Sequence, residues 1–159
     1  MEGELLREAM RQWASGVAVV TTTNQGIPHG ITVSSFDALS LDPPVVAITL
    51  KNTTPACQYI LDGNVFGVNI LSASQMDLAK LFSRKDFEGV NRFANVGYTE
   101  CMHGVPILDG SMAYFCCMVR HTHLLNQKTL ILGDVLDVKV NDGQDPLLYF
   151  NQAYRTLMK

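Results

Sequence analysis

Much of what commonly marks a function is missing from these 159 residues. The four cysteines, Cys57, Cys101, Cys116 and Cys117, form neither a C-x-x-C pair nor a zinc-like ladder with histidine, so buried thiols are expected. Charge of one sign never accumulates: no Lys/Arg run exceeds two residues, and the formal net charge is −3. Nucleic acid is therefore excluded as the main partner. No apolar stretch approaches the roughly 18 residues of a membrane span. The N-terminal MEGELLREAMRQWASG lacks the basic start and apolar run of a secretory signal, so a cytoplasmic location is expected. The G-x-S-x-G elbow, the P-loop and the G-x-G-x-x-G fingerprint are all absent. Acyl transfer, NTP hydrolysis and Rossmann-type dinucleotide binding lose their usual support. Charged residues are also scarce, 17% against 47% hydrophobic, less than a small solitary monomer usually carries on its surface, which points to an oligomer interface.

What is present reads as one domain over residues 1–159, mainly β with peripheral helices. Leu5, Leu6, Ala9, Met10 and Trp13 recur at helical spacing and predict an amphipathic helix that ends near Gly16. GVAVVTTT, the Asn24-Gln25-Gly26 turn and the run to Phe36 predict a hairpin. Pro43-Pro44 closes a loop before VVAITL, a strand expected to be buried on both faces. Thr54 as N-cap, Pro55 at the first position and Gly63 past the end delimit a short helix over 55–62. A strand over 65–71 follows, then a helix opened by a capping box of Ser74 and Asp77. Residues 83–97 read as loop and broken helix, and two long strands, 111–125 and 129–140, meet at Asn126-Gln127-Lys128. The tail from Pro146 predicts a closing helix. Five or six strands with only short helices favour an antiparallel sheet or barrel over a doubly wound sheet.

Chemistry concentrates where the hairpin leaves the sheet. Strand alternation puts Thr32 and Ser34 on one face and Ser35 on the other, so hydroxyls and turning backbone N–H groups can cup an anion; such residues are equally ordinary in turns. Asn69 lies inside an apolar strand, where its amide faces either a ligand or a neighbouring strand. Lys51 closes the VVAITL strand, and Phe82-Ser83-Arg84-Lys85 adds an aromatic edge, a hydroxyl and two cations. His121 and His123 share a strand face, but no Asp, Glu or Cys completes a metal set, and no metal is expected.

Taken in order, GIPHGITVSSFDALSLDPPVVAITL, FGVNIL, Gln75 to Ser83, Gly104-Val105-Pro106, LILGDV and PLLYF resemble the flavin reductase family, with T-x-S-S-F and S-L-D-P-P the most specific elements. The family comprises the small reductase components of two-component flavin monooxygenases and their ferric reductase and flavoredoxin relatives. The resemblance implies an FMN-binding split β-barrel that dimerises, with non-covalent FMN or FAD near the dimer interface and NAD(P)H as electron donor. It implies that Thr32, Val33, Ser34 and Ser35 line the flavin ring and ribityl chain. Lys51, Thr53 and Thr54 would lie on the phosphate side. Asn69, Ile70 and Leu71 would offer backbone contacts to the isoalloxazine ring, with Phe82 and Ser83 near the far end of the cofactor. No catalytic base is implied, because the flavin carries the redox chemistry. The acceptor would be a monooxygenase or another electron acceptor.

One departure stands out. The family's turn before the last long strand often reads Gly-Asp-His, its histidine associated with the reduced nicotinamide; here Asn126, Gln127 and Lys128 occupy it. Lys128 can instead meet an anionic group of the donor. The same departure keeps two alternatives open, a flavoredoxin-like carrier or ferric reductase that does not use nicotinamide directly, and a non-enzymatic flavin-binding module. The pyridoxamine-phosphate oxidases resemble this fold, but no segment here matches their substrate residues.

Overall fold

In the computed structural model of the chain, residues 3–85 and 91–158 are described. Part of the loop predicted over 83–97 therefore lies outside the described residues.

Among the described residues twelve strands carry the fold. Those of the main sheet are β2 (Ala18–Asn24), β3 (Ile27–Val33), β4 (Phe36–Leu41), β5 (Pro44–Lys51), β6 (Val65–Ile70), β9 (Ala113–Leu125) and β10 (Lys128–Val140). They pair in the order β3-β2-β6-β9-β10-β5-β4, every ladder antiparallel. Between them in sequence lie β7 (Tyr98–Glu100) and β8 (Pro106–Leu108), a small separate hairpin. Strands β1 (Ser15–Gly16), β11 (Leu148–Phe150) and β12 (Ala153–Arg155) form a third sheet.

The sheet curls because one core needs residues from all of it. Val20, Val33, Ile48, Phe66, Cys117 and Ile131 are buried in a single cluster that also holds Cys57 and Ile60 of α2 (Pro55–Gly63) and packs Phe36 of β4. The outermost strands β3 and β4 thus touch the same core while making no ladder with each other. This is the expected split barrel, with α2 among the elements packed into its core. Two register shifts in the β9–β10 ladder bend the long hairpin around it. Gly133 lies at one of them, where an added Cβ would stand 2.5 Å from the Phe66 ring.

A second cluster sits on the other face, where Val17, Val19, Leu71, Leu108 and Leu147 meet Ala79 and Phe82 of α3 (Met76–Phe82). Gly30 lets α3 approach β3, since a Cβ there would be 2.9 Å from the Phe82 ring.

Several sequence expectations need correction. The N-terminal helix, α1 (Gly3–Met10), is shorter than expected and buries no residue: Leu5, Leu6, Met10 and Trp13 are all exposed. VVAITL is buried as expected, but β4 precedes it across a tight turn where a loop was expected. Thr54 stands at the N-cap of α2, yet its hydroxyl donates backward to the Lys51 carbonyl at 2.8 Å. The left-handed C-cap is Asn64 (φ 60°), one residue beyond Gly63. The capping box belongs to Ser72 and Gln75, whose side-chain carbonyl accepts from the Ser72 N–H at 3.0 Å, opening a 3₁₀ turn before α3. The tail is no helix: Asn151 and Gln152, both at positive φ, turn β11 back onto β12.

Candidate flavin site

The corner between β3 and β4 opens a cleft of about 500 Å³. Val33, Ser34, Ser35, Phe36 and Asp37 form one wall; the segment from Trp13 to Ala18 forms the other, and Ile70 contributes to the lining. The corner is held by one side chain: the Ser35 hydroxyl donates to the Thr49 carbonyl at 2.9 Å and accepts from the Thr49 N–H at 3.2 Å. Ser34 and Ser35 stay exposed. An adjoining cleft of about 400 Å³ shares Trp13, Ser15, Ser34 and Ser35 and adds Arg7, Arg11 and the β11–β12 turn. The Arg11 Nε is buried without a partner among the described residues. Together these clefts offer an exposed indole, a line of hydroxyls and an unsatisfied cationic donor, a mixture of apolar wall and few polar groups typical of cofactor sites.

Two residues beyond Thr49 along β5, about 7 Å, lies Lys51. The register sets Lys51 directly opposite Lys128 of β10. Cross-strand neighbours of like charge repel, so such a pair gains from an anion between or above it. The surrounding loops are tied together. Asn52 donates its backbone N–H to Gln127 and its side-chain amide to the Asn126 carbonyl, and accepts from the Thr129 hydroxyl at 2.7 Å. The turn at 126–128 and the turn at 51–54 therefore form one positively charged end of the barrel, beside the N-terminus of α2, whose dipole also favours negative charge.

The expected site residues divide three ways. Val33, Ser34, Ser35 and Ile70 line the first cleft, and Lys51 and Thr53 are exposed at the charged end with Thr54 beneath them. The others line neither of these surfaces, and of them Asn69, Leu71 and Phe82 are buried. The Thr32 hydroxyl donates to Ala79 of α3 at 2.7 Å. Asn69 is fully buried: its amide donates to the Val19 carbonyl and the Thr21 hydroxyl and accepts from the Leu108 N–H, while its backbone lies between β2 and β9. Leu71 is likewise buried, its N–H bonded to Val17 and its carbonyl to Leu147. Phe82 packs on Phe93 at 4.9 Å, and Ser83 lies beside Tyr154, whose phenol burial pushes up and the Ser83 hydroxyl partly draws back. Of the two readings of the Asn69 amide, the neighbouring strand holds.

Sequence reasoning missed Trp13, Arg11 and the β11–β12 turn, because the first two were read into a core-facing helix and the last into a closing one. It also missed a cavity of about 580 Å³ between β3 and α2, walled by His29, Tyr59 and Arg92, with the two rings 4.4 Å apart. Among the described residues no group of three or more His, Cys, Asp or Glu can hold a metal, and no helix is long and apolar enough to cross a membrane.

Comparison with known proteins bears on the family and the fold. The flavin reductase-like domain model matches residues 10–158. The chain is 31% identical to the reductase subunit HsaB of a flavin-dependent monooxygenase from Rhodococcus jostii, over 93% of this chain and 74% of that protein. It is 32% identical to the FMN reductase (NADH) SmoA of Agrobacterium fabrum, over 93% and 82% respectively. The solved structure of the flavin reductase PheA2 superposes with a TM-score of 0.89 at 32% identity, covering 100% of both chains. With a split barrel and a family match across almost its whole length, the chain belongs to the flavin reductase-like domain family.

Proposed function

We propose that this protein is an NAD(P)H-dependent flavin reductase that binds FMN or FAD non-covalently in the corner cleft. The observation that carries the reading is the pair of adjoining clefts, with their exposed indole, exposed hydroxyls and unsatisfied Arg11 Nε, within a chain matched to the family over residues 10–158. The residues fit the cofactor. Trp13, Val33, Phe36 and Ile70 give a ring system apolar surface, while Ser34 and Ser35 serve its polar edge and chain. Lys51, Thr53 and the first turn of α2 suit a phosphate, with Thr54 fixing the turn from below. When bound, flavin would supply the redox chemistry, acceptance of a hydride and two-electron transfer, which no side chain here provides.

The chain's own part is to bind, orient and neutralise. Ser35 holds the corner open by bridging to β5, and Asn69, Leu71 and Phe82 fix the sheet and α3 behind it. Lys128, where the family often has histidine, offers a point charge to a phosphate of the donor. NADH is the donor of choice, in keeping with the SmoA relative, and a flavin-dependent monooxygenase is the acceptor, in keeping with HsaB. No catalytic side chain is assigned.

The same reading takes residues 1–159 as one domain acting as a homodimer in the cytoplasm. Exposed Leu5, Leu6 and Met10 on α1, and Leu124, Leu136 and Val138 on the long hairpin, form apolar surface that a second copy can cover. Four free cysteines suit a reducing compartment.

The test is anaerobic. Purified protein is loaded with FMN or FAD, and the absorbance of oxidised flavin is followed on adding NADH, then NADPH. Rapid bleaching by either supports the reductase; bound flavin that yields only to dithionite favours the carrier; failure to bind flavin sinks the reading. Equilibrium sedimentation gives the oligomeric state.

A further inference from the structure

The β7–β8 hairpin covers the outer face of β2, β6 and β9. Two hydroxyls fasten it: Thr21 donates to the Pro106 carbonyl and Thr23 to the Gly104 carbonyl, each at 2.7 Å. At its turn Cys101, half-buried beside the exposed Met102, meets buried Cys116 of β9 with the two sulfurs 2.8 Å apart. Tyr114, two residues before Cys116 on the same strand face, places its hydroxyl near both sulfurs; that oxygen is buried and makes no hydrogen bond among the described residues. A sulfur contact this short, with one thiol reachable from solvent and the other buried beneath it, is the arrangement of a reactive thiol and its resolving partner. We propose that Cys101 and Cys116 are a redox-active dithiol that closes reversibly into a disulfide when a hydroperoxide oxidises Cys101.

The roles are asymmetric. Burial pushes the Cys101 thiol up, but the sulfur of Cys116, the Tyr114 hydroxyl and the backbone at His103 and Val105 outweigh it and hold the thiol below its ordinary range. Burial, reinforced by the Cys101 contact, pushes Cys116 up to about 12. Cys101 is thus the nucleophile and Cys116 stays protonated until needed. Cys101 thiolate attacks one oxygen of hydrogen peroxide, the O–O bond breaks, and hydroxide leaves as water after taking a proton. The resulting sulfenic acid is attacked by Cys116, which loses its proton as the sulfenic hydroxyl departs as a second water. Two thiols have lost two electrons, one peroxide has become two waters, and the S–S bond now ties the hairpin to β9. A dithiol reductant reverses the step. Exposure to peroxide follows from the flavin reading, because reduced flavin reacts with dioxygen to give hydrogen peroxide; the test below adds peroxide to flavin-free protein, so the two readings fail separately.

Reduced full-length protein is treated with hydrogen peroxide, denatured, alkylated and mapped by mass spectrometry. The expected result is loss of two of the four alkylatable thiols, an intramolecular 101–116 linked peptide, and full recovery with dithiothreitol. Cys101→Ser abolishes the loss, and Cys116→Ser leaves a sulfenic acid at Cys101 that a 1,3-dione probe captures. Four thiols still alkylatable, or losses falling on Cys57 or Cys117 or between chains, overturn the proposal. Cys101 lies on a half-exposed turn, so its serine variant keeps the test decisive even where the buried Cys116→Ser does not fold.

Discussion

Thr21, Thr22 and Thr23 on β2 and Thr32, Ser34 and Ser35 at the end of β3 are chemically alike, and they lie on paired strands. On β2 each hydroxyl donates to a carbonyl from a distant part of the chain, at Pro106, Val65 and Gly104. At the end of β3 Thr32, still on the strand, is committed in this way to Ala79 of α3, and Ser35 to the Thr49 carbonyl of β5, leaving Ser34 as the uncommitted hydroxyl among the described residues there. Ser34 and Ser35 sit past the last ladder pair, exposed in the cleft. Where the sheet is covered on both faces, a hydroxyl has to find a partner within the protein. Where the sheet opens, hydroxyls can remain for a ligand. The closed region and the open corner are thus the same chemistry under different burial, and substitutions separate them.

The largest effect is expected in the closed region. Asn69→Leu leaves the Leu108 N–H without its acceptor and takes the side-chain donor away from the Val19 carbonyl and the Thr21 hydroxyl oxygen. Loss of about 2–4 kcal/mol of unfolding free energy is expected in urea titrations, with flavin affinity of the folded fraction unchanged. Unchanged stability with lost flavin binding would falsify the assignment of this amide to the fold.

At the boundary, Ser35→Ala removes two exposed hydrogen bonds to Thr49 and costs about 0.5–1.5 kcal/mol. Because the same hydroxyl shapes the cleft, flavin Kd measured by fluorescence quenching is expected to rise several-fold. An effect on stability alone would move Ser35 to the closed class.

In the open region stability and function come apart. Lys128→Gln relieves repulsion with Lys51 and changes unfolding free energy by no more than about 0.5 kcal/mol. The expected loss is functional: a raised KM for the nicotinamide donor, little change in kcat, and a weaker dependence of KM on salt. A KM equal to that of the wild type under all salts would remove Lys128 from the donor site.

The same contrast explains how much the sequence disclosed. The β2–β3 and β9–β10 hairpins were legible because β-branched runs flank turn residues, and the T-x-S-S corner because hydroxyls accumulate where a strand ends. The β11–β12 hairpin was not. Leu147, Leu148, Phe150, Tyr154 and Leu157 imitate helical spacing, and its turn is made by Asn151 and Gln152, where glutamine gives no signal for positive φ. Ser72 and Gln75 carry a better capping signal than Ser74 and Asp77, but it begins at the end of a strand, where strand periodicity masks it. Trp13 and Arg11 belonged to a periodic helix whose apolar face finds no core, a fact visible only once the core is seen to close without it. The meeting of Cys101 with Cys116 depends on where a three-residue strand docks, and spacing carries nothing of that.

The smallest effect concerns the cavity between β3 and α2. Burial lowers the pKa of His29 from its ordinary value, so the fold prefers the neutral ring that lies against Tyr59. Between the lowered folded value and the ordinary unfolded one, the unfolded chain binds more protons, and stability falls as pH falls. The contribution is complete above about pH 6.5, the unfolded value, and is lost as pH drops through the folded one. His29 is partly solvated, which keeps the effect small. His29→Phe keeps a ring against Tyr59 and removes the titration, so its urea midpoint should decline less than that of the wild type between neutral and mildly acidic pH. Parallel curves would mean that protonation at this position is felt equally in both states, and that the cavity, unlike the covered face of β2, already behaves as open surface.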